Sequence, residues 1–129
     1  MEYKTTKKYV LTSPRKLREV VHAIKVLKPE VALEVLPNLN KRAAGVLGKV
    51  LQNAVANAEN QGASRSELVF KEIQIGEGTR LKRFRAGSRG RAKPYAKRMS
   101  NIRIVLRTIP KPKIKDEKSK LAGKDNEEK

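Results

Sequence analysis

The sequence predicts an α+β fold: three helices packed on a small antiparallel sheet, one long basic β-hairpin projecting from it, and a charged tail. Three observations carry this. Apolar residues recur at helical spacing in three stretches of the first half, and at alternating spacing in two stretches of the second. Between the two alternating stretches lies a basic run too long for a core of this size to cover.

The elements follow in order. Tyr9-Val10-Leu11 reads as a short strand or an extended arm. Ser13-Pro14 marks a helix start, because Ser can cap free N–H groups and Pro suits the first helical position. Leu17, Val20, Val21, Ile24 and Leu27 then form one apolar stripe. Pro29 opens a second, short helix with Val31, Ala32, Val35 and Leu36, ended by Pro37-Asn38. Asn40 is the expected cap of a longer third helix, in which Ala43, Ala44, Leu47, Val50, Leu51, Ala54, Val55 and Ala58 keep the period. Gly62 is its expected stop, and Gly45, Gly48 and the alanines allow close approach of neighbours.

Leu68 to Ile75 reads as a strand. So does Ile102–Arg107, with Ile102, Ile104 and Leu106 on one face and Arg103 and Arg107 on the other. The residues between them, 76–101, form one antiparallel hairpin or a basic loop that becomes one on binding. Arms of roughly ten residues would reach on the order of 30 Å. A free two-stranded ribbon is marginal in water, so such a hairpin needs surroundings from elsewhere. Gly76-Glu77-Gly78 is a turn or bulge through which the ribbon leaves the sheet, and Ala86-Gly87-Ser88-Arg89-Gly90 supplies the small residues of a tip. Residues 1–109 make one domain that includes the hairpin at about 79–98. Residues 110–129 read as a disordered charged tail.

Charge indicates the partner. Between Thr79 and Lys115 stand fourteen Lys or Arg and no acid, in a chain whose formal net charge is +18. Such a run repels itself unless a polyanion neutralises it, and Arg pairs with phosphate and stacks on bases. The candidate contacts are Arg80, Lys82, Arg83, Arg85, Arg89, Arg91, Lys93, Lys97 and Arg98 on the hairpin, with Arg15, Lys16 and Arg18 on the first helix. Phe84 and Tyr95, inside the run, either stack on unpaired bases or each other, or pack across the ribbon.

Catalysis is not indicated. There is no Cys, and His22 is the only His, so neither a zinc site nor a Cys/His pair can be assembled. No phosphate-binding Walker motif or acid/base carboxylate pair occurs. We expect no enzyme activity, no metal and no cofactor. No apolar run approaches the ~20 residues that span a bilayer, and the N-terminus lacks the apolar core of a signal peptide. The expected setting is the cytosol, with no membrane partner.

Several segments carry a resemblance. Ser13-Pro14-Arg15-Lys16-Leu17-Arg18, Asn53-Ala54-Val55-Ala56-Asn57-Ala58-Glu59, Ile73 through Gly78, and Gly90-Arg91-Ala92 followed by Lys97-Arg98-Met99-Ser100-Asn101-Ile102 occur in one order over roughly residues 8–108. Together they resemble the L-twenty-two family of large-subunit ribosomal proteins, of bacterial type. The resemblance implies a body of three helices and a three-stranded antiparallel sheet plus a long hairpin. It implies binding to large-subunit ribosomal RNA during assembly, a body near the exit of the nascent-peptide tunnel, and a hairpin lining the tunnel wall. Implied partners are that RNA, neighbouring ribosomal proteins and the nascent peptide, with no specific DNA. Arg80 to Arg98 would contact RNA, Arg15, Lys16 and Arg18 match the family's basic cluster on helix one, and the tip would be Ala86, Gly87, Ser88, Arg89, Gly90 and Arg91. The family usually has Pro-Arg where this chain has Ala86-Gly87, a loss of one charge and of stiffness at the tip.

Overall fold

The computed structural model describes residues 1–109; the tail expected over 110–129 lies outside the described residues. The order of elements is β1 (Glu2–Val10), α1 (Pro14–Ile24), α2 (Pro29–Val35), α3 (Arg42–Asn60), β2 (Leu68–Ala86) and β3 (Ala92–Thr108). The strands form one antiparallel sheet in the order β1-β3-β2. The expected α+β architecture is therefore present, including the third strand.

The core lies between the helices and one face of this sheet. β3 contributes Ile102, Ile104 and Leu106, all fully buried, and β1 contributes Tyr3 and Val10. Across the register Ile73 faces Ile104 and Ile75 faces Ile102. From the helices come Leu17, Val20 and Ile24 of α1, Ala32 of α2, and Leu47, Leu51, Ala54 and Val55 of α3. In α1 and α3 these are the stripes that the spacing predicts; α2 ends at Val35, before Leu36, and leaves Val31 exposed. α3 ends as expected at Gly62, whose φ is +83°. The Gly62 N–H donates to the Glu59 carbonyl at 2.8 Å and the Ala63 N–H to the Ala58 carbonyl at 3.0 Å. This closure requires a left-handed residue, which Gly adopts at little cost.

Three local expectations are corrected. The first strand runs from Glu2, well before Tyr9. Ser13 sits at the start of α1 without a side-chain capping bond, and the residue preceding α3 is Lys41, also without one, rather than Asn40. A β-carbon added at Gly45 would meet nothing within 4 Å beyond its own helix, so no neighbour approaches closely there; one added at Gly48 would lie 3.9 Å from Leu36, an ordinary contact.

The sheet narrows from three strands to two at one level of β3. There β1 bulges, Lys8 and Tyr9 standing against Asn101, and β2 bulges, Gly78 and Thr79 standing against Met99. Tyr9 has φ of 57°, and its N–H donates to Asn101 Oδ1 at 3.1 Å. Gly78 is required by space: a β-carbon there would lie 3.0 Å from the Met99 carbonyl carbon. Between the bulges Ser100 is fully buried, and its hydroxyl donates to the Thr12 carbonyl at 2.5 Å. Arg18 Nη2 donates to the Ile75 carbonyl at 3.2 Å, tying α1 to the same shoulder. The expected bulge at Gly76-Glu77-Gly78 is thus the point of departure of the ribbon.

Candidate nucleic-acid interface

Beyond the shoulder β2 and β3 continue alone, paired from Arg80 with Arg98 to Ala86 with Ala92. The seven rungs span roughly 20 Å, shorter than the reach expected of ten-residue arms, because the strands stay on the body as far as the bulge at Gly78. The hairpin reading of this segment holds. Successive side chains alternate between faces, so the register sorts them. One face carries Arg80, Lys82, Phe84, Ala86, Ala92, Pro94, Ala96 and Arg98; the other carries Leu81, Arg83, Arg85, Lys93, Tyr95 and Lys97.

Phe84 and Tyr95 consequently lie on opposite faces and cannot stack on each other. Phe84 pairs with Pro94 and is 70% exposed. Tyr95 is half-buried, with the Arg85 guanidinium 4.9 Å from its ring centroid. That contact stiffens its face while leaving the cation at the surface.

The tip closes through Gly87 N–H to the Arg91 carbonyl at 2.6 Å and Arg91 N–H to the Ser88 carbonyl at 3.3 Å. Arg89 and Gly90 take positive φ of 55° and 69°. A β-carbon at Gly87 would lie 2.8 Å from the Arg91 oxygen. This tip therefore depends on Gly at position 87.

Among the described residues only Arg80 of the ribbon's bases meets a carboxylate, that of Glu77 at 3.2 Å. The other described ion pairs, Lys41–Glu19, Arg65–Glu59 and Lys71–Glu2, lie on the body. Lys82, Arg83, Arg85, Arg89, Arg91 and Lys93 stand exposed along an arm with no anion of its own.

The remaining candidate residues gather where the arm meets the body. Arg15, Arg18, Arg80 and Arg98 line a groove of about 300 Å³ with Glu77, Gly78 and Met99. Lys16, Lys97 and Arg98 line a larger one of about 840 Å³. The two share Ser13 and Arg98, and so flank the start of α1. The larger groove also holds Lys41 and Arg42, which the sequence reading did not select. A signal was present. A base in the first turn of a helix opposes the helix dipole, and neither α1 nor α3 has an acid there. Arg15 and Lys16 open α1, and Arg42 opens α3 after Lys41. Such placement costs helix stability unless an anion comes to meet it.

The sheet face turned away from the helices is also basic. It places Lys4, Thr6 and Lys8 of β1 beside Arg103 and Arg107 of β3, with Glu2 and Glu72 as its carboxylates, and Thr6, Lys8 and Arg103 line a shallow depression with Gln74 and Asn101. His22 is exposed on α1. Among the described residues no group of three or more His, Cys, Asp or Glu is placed to hold a metal, and no helix is long and apolar enough to cross a membrane.

Residues 5–107 match the family model described as ribosomal protein L22p/L17e. A protein of Desulfatibacillum aliphaticivorans, named large ribosomal subunit protein uL22, is 42% identical over 106 residues, covering 82% of this chain and 98% of its own length. Proteins of the same name from Syntrophus aciditrophicus and Thermotoga sp. are 43% and 41% identical, covering 82% and 83% of this chain and 97% and 68% of their own lengths.

Proposed function

The chain belongs to the ribosomal protein L22p/L17e family, and from that premise we propose that it is a structural constituent of the large ribosomal subunit. In this reading it binds large-subunit ribosomal RNA, aids assembly, and lines the nascent-peptide exit tunnel with its hairpin. Its partners are that RNA, adjacent ribosomal proteins and the emerging peptide, in the cytoplasm, with no enzymatic step, membrane or specific DNA involved. The observation that carries the reading is the ribbon: seven rungs of two-stranded sheet outside any core, basic along both faces.

The mechanism is neutralisation and positioning. Each Lys or Arg that meets a phosphate releases condensed counterions, which drives binding without reading sequence. Extended backbone lets the ribbon thread between RNA helices that repel one another, the cations reaching out from both faces. Arg15, Lys16 and Arg18 continue the basic track from ribbon to body, and Ala86–Arg91 form the part that reaches furthest. Arg18, already bonded to the Ile75 carbonyl, contributes through the shoulder as well as through charge.

Sedimentation of a lysate through a sucrose gradient tests this. The protein should travel with the large subunit and stay there after a salt wash. Recovery at the top of the gradient would overturn the assignment. One feature keeps an architectural DNA reading in view: exposed Phe84 beside Pro94 is the sort of wedge that DNA-bending proteins insert between base pairs. Competition between duplex DNA and ribosomal RNA separates the two, and RNA should win.

A further inference from the structure

We infer that the larger groove at the base of the ribbon seats an unpaired nucleotide of the bound RNA, its base against Leu11 and its phosphates on Lys16, Arg42 and Lys97. The inference rests on the RNA-binding reading above and adds a site to it.

Four observations lead there. The groove brings together residues from four separate stretches of chain: the segment before α1, α1 itself, the start of α3, and β3. Its five cations, Lys16, Lys41, Arg42, Lys97 and Arg98, face one carboxylate, Glu19, which is paired with Lys41 at 3.1 Å. Its volume of about 840 Å³ is that of a small-molecule site, larger than a phosphate alone requires.

The fourth observation concerns the wall. Leu11 is 50% exposed although it follows Val10, which is buried in the core. Leu11 and Ala96 give the groove apolar surface beside its cations. A duplex offers such a surface little, because A-form RNA presents phosphates and 2′-hydroxyls to a protein. A splayed nucleotide presents both a flat face for the apolar wall and phosphates for the cations.

The chain has no Trp, so Leu11→Trp installs a single reporter at a half-exposed position. Val26→Trp, at an 84% exposed site outside the groove, serves as the control. Circular dichroism and a gel shift with large-subunit ribosomal RNA establish that each full-length variant folds and binds. Emission of Leu11→Trp should then fall on adding the RNA while that of Val26→Trp does not. Adding Arg42→Ala to the reporter chain should reduce the quenching and make the salt slope shallower by about one.

Failure of wild type and Val26→Trp to bind RNA at all would overturn the RNA-binding reading itself, whereas loss of binding confined to Leu11→Trp would support the groove as a contact site. Binding with unchanged Leu11→Trp emission would overturn the groove alone. Equal quenching by a fully paired RNA duplex would refute the unpaired nucleotide. Equal quenching by free nucleoside monophosphates, at the same nucleotide concentration, would refute a polymer-bound ligand.

Discussion

Replacing Arg83, Arg85, Arg89 and Arg91 together with Ala separates the ribbon's role in binding from any role in folding. In the structure these side chains do little for the body. Arg83 donates to the Lys82 carbonyl at 2.7 Å and Arg85 covers Tyr95 at 4.9 Å. Arg89 and Arg91 make no ion pair among the described residues. The largest loss is the exposed cation–π contact, about 0.5–1 kcal/mol. It lies outside the core, so the melting temperature should fall by less than about 5 °C. Binding should respond very differently. Each lost phosphate contact removes about 0.7–0.9 from the slope of log affinity against log salt, so four should remove about 3. Raising salt fourfold then shrinks the affinity gap between wild type and variant by about 60-fold. Filter binding to large-subunit ribosomal RNA across a salt series measures the slope, and calorimetry measures the melt. An unchanged slope would mean the four arginines do not meet phosphates. A collapsed melt would mean the ribbon belongs to the core.

Other perturbations address the body. Gly78→Val drives a side chain against the Met99 backbone, 3.0 Å from the built β-carbon, and should cost about 1–3 kcal/mol in thermal unfolding; an unchanged melt would mean the bulge relaxes freely. Ser100→Ala strips the hydroxyl from the Thr12 carbonyl and should lower the urea midpoint by the equivalent of about 1–3 kcal/mol, whereas a midpoint equal to wild type would show that the pin is dispensable. The Lys71 ammonium, hydrogen-bonded to Glu2, holds that carboxyl below the usual carboxylate range. A depressed folded-state value means the pair stabilises the protein above the unfolded carboxyl pKa and is lost as pH falls through the folded one. The difference in melting temperature between wild type and Glu2→Gln should accordingly be present at neutral pH and vanish in acid; a difference independent of pH would refute it. Deletion of residues 116–129 should leave both the melt and subunit incorporation unchanged, and defective assembly would contradict this.

α1 and α3 were legible because each buries a full stripe. Leu17, Val20 and Ile24 repeat once per turn, and in α3 the pattern persists from Ala43 to Ala58. β3 was legible because Ile102, Ile104 and Leu106 alternate with a polar residue or with Val105. β1 was not. It is an edge strand whose inward positions after Tyr3 include Thr5 and Lys7, so its alternation barely shows in hydrophobicity. Capping failed for another reason: Ser13 and Asn40 are favourable cap residues, but a local rule does not see the tertiary contacts that fix each helix start. The basic ribbon was readable from charge alone. The larger groove was not, because Lys41 and Lys97 become neighbours only after α1, α3 and β3 have packed. The separation of Phe84 from Tyr95 likewise depends on register, which the length of the tip sets.

The shoulder explains how a small body can direct a long arm. A two-stranded ribbon alone is marginal, and this one carries like charges along its length. Its direction must therefore be imposed at the end where it is held. Three contacts impose it there: the buried Ser100 bond to Thr12, the Asn101 bond to Tyr9, and the Arg18 bond to Ile75. The two bulges lie on either side of β3 within the span Met99–Asn101, so both flanking strands bend at the level where β1 ends. Between the shoulder and the tip the bases stand clear of the core, and charge changes there alter affinity without touching the fold. Changes at Gly78, Ser100 or Asn101 act the other way, leaving every cation in place while altering where the arm points. In the proposed reading, where the ribbon threads between RNA helices, aim matters as much as charge, and among the residues that set it only Arg18 is charged.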